Sequence, residues 1–357
     1  MRVLVTGGTG FIGSHTAVAL LRAGHSVKLL IRNADKLKKV YQPHGVTIKD
    51  YVLGDVTDAK SVRNALQDCD AVVHTAAMVA TTKSMIEMVR RTNVDGTKNV
   101  IGQAAEMGLK HIFHVSSITA LYSATDKFVN EKSQPGKATN AYGSSKVECE
   151  HFVRSLQERG APIVVTYPTG VIGPHDPNLT EPMKGLATFL KFIAPETTSG
   201  IQYIDVRDIA DVHVKLLDRE PGPERFMLGG VYHSWLGLYD LLEELTGRKL
   251  LRPYIPPKML QSIGSTIDYV MRYIELELPM NVTREATNYA TNWCHADSQK
   301  IHDDMNFTFR DGRQTVIDTV LWLEQAGHIQ AKHLGKLFNE NTALVAQSAD
   351  IDLVGNV

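Results

Sequence analysis

Tyr142 and Lys146 stand four residues apart in the run AYGSSK, and Ser116 and Ser117 close the upstream run HIFHVSS. On a helix, positions four apart share a face, so phenol and ammonium can act together. A phenol ionises near pH 10, so acid–base work at neutral pH calls for about 4 kcal/mol of differential stabilisation, of which a neighbouring ammonium is one source. Tyr142 is then the acid or base and Lys146 its tuner. Ser117, at the carboxyl end of a predicted strand, is placed to hydrogen-bond a carbonyl oxygen, with Ser116 as the rival for that role. A Tyr-x-x-x-Lys pattern alone arises by chance in many proteins; its companions give it weight.

Other chemistries find no foothold. His111 and His114 are three apart on a strand and face opposite sides, and His295 and His302 have no partner cluster, so no metal is expected. No GxSxG elbow offers a serine nucleophile.

The elements that must position these side chains follow a rhythm. The strand-like runs RVLVTG, SVKLLI, TIKDYVLG, AVVHTA, HIFHVSS and PIVVTYP alternate with helical stretches near 12–23, 33–41, 58–67, 84–107 and 141–159. Such alternation predicts an α/β fold, a doubly wound parallel sheet covered on both faces. This first domain spans residues 1–168, with returning segments near 201–218. Past Pro168 the punctuation PTGVIGPHDPNLTEP opens a smaller, mainly helical lobe over 169–330, with a helix near 183–194 and a short strand near 201–205. Residues 331–357 read as a weakly patterned C-terminal tail. In the second lobe, Met259, Ile263, Ile267, Val270, Met271 and Ile274 recur at helical spacing, a stripe that more often builds core than pocket.

TGGTGFIG, residues 6–13, joins the first predicted strand to the first predicted helix. Glycines there permit a tight turn, let backbone approach a pyrophosphate and aim helix amides at its charge. Gly7, Gly10 and Gly13 satisfy one spacing, and Gly8, Gly10 and Gly13 another. The strand, loop and helix order is the context a dinucleotide site needs.

Composition bounds the partners. The 357 residues are 43% hydrophobic and 22% charged, and 38 Lys plus Arg nearly cancel 39 Asp plus Glu. No overall field would recruit nucleic acid, and no apolar run approaches the ~20 residues of a membrane span. Cys69, Cys149 and Cys294 are too scattered for a disulfide framework. A cytoplasmic protein with small-molecule partners is expected.

With TGGTGFIG, VSS at 115–117 and AYGSSK, the chain resembles the extended short-chain dehydrogenases/reductases, the NAD-dependent epimerase/dehydratase family. GDV at 54–56, VVHTAA at 72–77, TNVDGTKN at 92–99 and YIDVRDIADVH at 203–213 agree in order. The resemblance runs from residue 1 to about 325. It implies cofactor contacts from Gly7, Thr9, Gly10, Phe11, Ile12 and Gly13, with Asp55 and Val56 flanking the adenine. Thr75, Ala76 and Ala77 would line the cofactor's middle, Pro168, Thr169, Gly170 and Val171 would border the nicotinamide, and Tyr142 and Lys146 would complete the site. Asn93 is expected to tie a helix kink to neighbouring backbone.

Where NAD-using members carry an acid at the end of the second strand, this chain has Ile31 followed by Arg32. A carboxylate would repel a 2′-phosphate, whereas Arg32 can fork onto its oxygens. RNADKLKK parallels the RDPxxxKK of the dihydroflavonol reductase-like branch, which makes Lys39 the second phosphate ligand. NADP(H) is expected in preference to NAD(H).

PTGVIGP resembles the dihydroflavonol reductase-like and 3β-hydroxysteroid dehydrogenase-like branch, and Gly170 replaces the Asn that serves the diphosphate in nucleotide-sugar enzymes. Ile118 and Thr119 follow Ser117 where sugar dehydratases carry Asp-Glu. The expectation is a carbonyl reductase acting on a rather apolar ketone or aldehyde through Ser117, Tyr142 and Lys146. A nucleotide-sugar epimerase and a non-catalytic NADPH sensor are the alternatives. A monomer or homodimer is expected, the latter seamed by the 84–107 and 141–159 helices.

Overall fold

A computed structural model describes residues 1–79, 85–123, 125–138, 140–271, 274 and 282–342. The strands are β1 (Arg2–Thr6), β2 (Ser26–Ile31), β3 (Tyr51–Leu53), β4 (Ala71–His74), β5 (His111–Val115), β6 (Phe128–Val129), β7 (Ile163–Pro168), β8 (Gly170–Ile172), β9 (Gly200–Asp205), β10 (Glu224–Leu228), β11 (Val231–Ser234) and β12 (His295–Ala296). Seven form one sheet in the order β10-β7-β5-β4-β1-β2-β3, every pair parallel. Its central strands are apolar on both sides because both faces are covered: Val3, Leu4 and Val5 of β1 are all fully buried.

The helices Phe11–Arg22 and Val206–Leu217 pack together on one face of this sheet, sharing a core with Val3, Val5 and Leu29. Opposite lie Ala59–Leu66 and Ala141–Glu158, whose Val62, Ala65 and Val153 meet Leu4, Val72 and Ile112. The segment from Ile86 to Glu106 is helical throughout but widens to π geometry at Arg91–Asp95 and Lys98–Gly102. Asn93 lies in the first of these, and its amide brackets Met78, accepting from the backbone N–H and donating to the carbonyl.

The returning segments divide their allegiance. The helix Val206–Leu217 goes back to the first lobe, but β9 joins a separate three-stranded sheet, β11-β9-β8. The chain rejoins the main sheet later, as β10, a strand that the expectation of a mainly helical second lobe missed. Only Phe226, Met227 and Leu228 of β10 are buried, and its charged lead, Glu224 and Arg225, masks the pattern.

The second lobe has its own core, in which Phe189 meets Trp235 and Tyr239 edge to face at 5.9 and 5.1 Å between ring centres. Residues 331–342, expected as the start of a tail, are helical and pack onto this core through Leu334 and Leu337. The remaining tail residues, 343–357, lie outside the described residues. Of the apolar stripe near 259–274, Ile263 faces inward onto a cavity, while Met259, Val270 and Ile274 are exposed. Among the described residues no helix is long and apolar enough to cross a membrane.

Candidate active site

The helix Ala141–Glu158 begins where Asn140 caps it, Oδ1 accepting from the Gly143 N–H at 2.6 Å. Gly143 allows close contact here, because a Cβ would fall 2.5 Å from that of Ala138 and 3.3 Å from the Thr119 methyl. Tyr142 therefore sits in the first turn of a helix pressed against the segment after β5. One turn on, Lys146 is buried, its Nζ 5.8 Å from the centre of the Tyr142 ring and donating to the Val115 carbonyl at 3.4 Å. Ser117, two residues beyond Val115, caps the short turn Ile118–Ala120: its Oγ accepts from the Thr119 N–H and donates to the Thr119 hydroxyl at 3.1 Å. Ser116, the rival serine, is buried with no partner for its hydroxyl.

Beneath Lys146 lies a buried polar tract. His74 Nδ1 meets the Thr6 hydroxyl at 2.7 Å, and its ring stacks 5.7 Å from that of His114. Burial pulls the His74 pKa down to about 3, and the Lys146 charge adds to the effect. His114, whose ring nitrogens both lack partners, is pushed well below the ordinary range by burial, then by His74 and Lys146. Both rings are therefore neutral.

The glycine loop bends as its spacing requires. Gly7 has a φ of +72°, and a Cβ there would fall 2.6 Å from the Thr75 hydroxyl. A Cβ on Gly13 would collide with the Gly7 carbonyl oxygen. Gly8 instead faces Leu29, so the spacing that builds the turn is that of Gly7, Gly10 and Gly13. Gly10 caps the Phe11–Arg22 helix without a side chain, which leaves that helix's amide end accessible to a phosphate.

From this loop a cleft of about 180 Å³ runs over the carboxyl ends of the strands. Gly7, Thr9, Gly10, Arg32, Asp55, Val56, Thr75, Ala76 and Ala77 line it, as do Lys36, Thr92 and Asn178, which the sequence did not single out. Arg32 is well exposed, 3.9 Å from Asp55. Lys39 contributes nothing to the wall; Lys36, in the first turn of the Asp35–Tyr41 helix, does. The shape suits a dinucleotide: a glycine loop at one end and two cations, Arg32 and Lys36, in the wall.

A second cavity, about 450 Å³, opens between the lobes at Ser117, Thr169 and Gly170. Phe189, Trp235, Tyr239, Leu260, Ile263, Tyr289 and Trp293 make most of its wall apolar or aromatic. Glu181 is its sole charged side chain among the described residues. A Cβ at Gly170 would fall 3.0 Å from the Tyr203 ring, so no Asn fits there without displacing it. Tyr142, Lys146, Pro168 and Val171 contribute to neither wall.

The family model described as NAD dependent epimerase/dehydratase family matches residues 3–229. The chain belongs to that family. Cinnamoyl-CoA reductase 1 of Petunia hybrida is 31% identical over 342 residues, covering 92% of this chain and 93% of its own. Sterol demethylase protein B of Methylococcus capsulatus is 26% identical over 337 residues, covering 92% of this chain and all of its own. A solved structure, the UDP-glucose 4-epimerase of Bifidobacterium longum in complex with NAD+ and UDP, superposes with a TM-score of 0.68 at 22% identity, covering 92% of this chain and 99% of that one.

Proposed function

We propose that the chain is an NADP(H)-dependent oxidoreductase that reduces a rather apolar ketone or aldehyde to an alcohol. The observation that carries this reading is the cavity beside Ser117: apolar, about 450 Å³, and without a lysine or arginine among its described lining residues. A diphosphate buried there would lose its hydration with no cation among the described lining residues to replace it, and would meet Glu181 besides. An uncharged carbonyl compound pays no such penalty. This argues against the epimerase alternative, although structures of that activity share the fold.

A bound NADPH would supply the hydride. The residues of the chain supply the rest. Ser117 and Tyr142 hydrogen-bond the carbonyl oxygen, and Tyr142 gives it a proton as the alcohol forms. Lys146, held by the Val115 carbonyl, keeps a positive charge behind the phenol. Arg32 and Lys36 receive the 2′-phosphate and thereby select the phosphorylated dinucleotide.

Titration of the purified chain with NADPH and NADH, followed by a panel of apolar and charged carbonyl compounds, tests the proposal. Tighter NADPH binding and turnover confined to uncharged carbonyls support it. Tighter NADH binding, or conversion of a UDP-sugar without net cofactor consumption, would replace it with the epimerase reading.

A further inference from the structure

The hydroxyls of Thr119 and Tyr289 lie between Ser117 and a carboxyl group of the other lobe. The Ser117 Oγ donates to the Thr119 hydroxyl at 3.1 Å, and Thr119 shares the cavity wall with Tyr289, whose phenol it influences. Tyr289 in turn donates to Glu285 Oε1 at 3.1 Å. Glu285 Oε2 is buried, with no hydrogen-bond partner of standard geometry among the described residues. The same carboxyl faces Asn140, the cap of the helix that carries Tyr142 and Lys146. One side chain of the helix Arg284–Thr291 thus lies between Tyr289, on the Ser117 side of the site, and the cap of the Tyr142 helix.

We propose that Glu285 is a positioning residue whose protonation state sets the direction in which the Ser117 hydroxyl points. While Glu285 is a carboxylate, the chain ends on a pure acceptor. Each hydroxyl then points toward it, and Ser117 offers the cavity only lone pairs. Uptake of one proton by Glu285 lets every hydroxyl turn: Glu285 donates to Tyr289, Tyr289 to Thr119, Thr119 to Ser117, and Ser117 to a carbonyl oxygen. No bond between heavy atoms changes. The two states suit opposite directions of one reaction, because a ketone needs a donor and an alcohol, which brings its own proton, needs an acceptor.

The surroundings favour proton uptake. Burial raises the Glu285 pKa, Asp268 on the neighbouring helix raises it further, and Tyr289 and Asn140 work against them. Tyr122 meets Tyr289 edge to face, 4.3 Å between ring centres, and also acts on the carboxyl. Arg284, next in the chain, is exposed and directs its backbone N–H to Asp268. Among the described residues no lysine or arginine forms an ion pair with Glu285.

The inference rests on Ser117 as the group that polarises the carbonyl, so the test has one arm independent of turnover. Infrared titration of the full chain, wild type minus Glu285→Gln, should show a protonated carboxyl persisting above the ordinary carboxylate range. Tyr289→Phe, which removes a donor to the carboxylate, should move that titration to higher pH. The second arm is the pH profile. The wild type should lose carbonyl reduction as Glu285 ionises, whereas Glu285→Gln, a neutral stand-in, should keep it about tenfold higher on the alkaline limb, the worth of one neutral hydrogen bond. Tyr289→Phe should erase the limb in both directions of reaction. A Glu285 that titrates as an ordinary glutamate, or a limb unchanged in both variants, overturns the proposal. If Tyr142→Phe abolishes turnover while the limb survives in Glu285→Gln, only this inference fails; if Tyr142→Phe retains turnover, the reading beneath it fails too.

Discussion

The Lys146 ammonium lies 5.8 Å from the centre of the Tyr142 ring, held there by the Val115 carbonyl two residues before Ser117. This places the ammonium between β5, which ends two residues before the serine, and the helix that carries the tyrosine in its first turn. Tyr142→Phe should therefore cut turnover by at least about a hundredfold, the usual worth of a positioned acid. NADPH affinity, read by fluorescence titration, should change little. Retained turnover would remove Tyr142 from the mechanism.

Arg32 is exposed and lies over the cleft with Lys36. Charge-assisted bonds of this kind are worth about 1.5–3 kcal/mol, so Arg32→Ala should weaken NADPH binding about tenfold to a hundredfold and leave NADH nearly unchanged. Lys36→Ala should do the same more weakly, and Lys39→Ala should not. Equal losses for both dinucleotides would mean that no 2′-phosphate is read here.

The first turn tolerates no side chain at its third glycine. Gly13→Ala should drive a methyl into the Gly7 carbonyl, costing about 1–3 kcal/mol in stability and most of the dinucleotide affinity. Gly222→Ala, where an added Cβ meets nothing within 4 Å, is the control and should change neither. Thermal melts with and without NADPH report both effects.

His74 and His213 are buried and neutral, each with a pKa pulled down to about 3 by burial. An unfolded chain binds protons at these rings below about pH 6.5, while the folded chain does not until near pH 3. Stability present above pH 6.5 is thus lost as the pH falls toward 3, each ring contributing up to about 1.4 kcal/mol per pH unit. His213→Asn should flatten that slope in urea titrations between pH 6.5 and 4, even if it lowers the plateau. An unchanged slope would mean that His213 is already protonated in the fold.

Much of this was legible in the chain itself, because the signals were local. The strand and helix rhythm to residue 168, the glycine turn and the four-residue spacing of Tyr142 and Lys146 each lie within one or two elements. What escaped needed the tertiary fold. Glu285, Tyr289 and Trp293 stand four apart, as on any helix face, but nothing in the sequence ties that face to Ser117; the packing of the second lobe brings Tyr289 and Trp293 into one cavity wall with it. Lys36, which lines the cleft, is one helical turn before Lys39, the residue the resemblance picked out, and nothing in the local sequence distinguishes the two. The strand β9 read like its predecessors yet paired with β8 and β11, a choice of partner its own residues do not encode.

The central claim is hydride transfer from NADPH to an uncharged carbonyl beside Ser117 and Tyr142. Incubation of wild type and Tyr142→Phe with 4-deuterated NADPH and a panel of apolar ketones and aldehydes, read by mass spectrometry, tests it most directly. The account predicts deuterium at the carbinol carbon of at least one product with the wild type and little or none with the variant. Deuterated alcohol from both proteins alike, or none from the wild type across the panel, would contradict it.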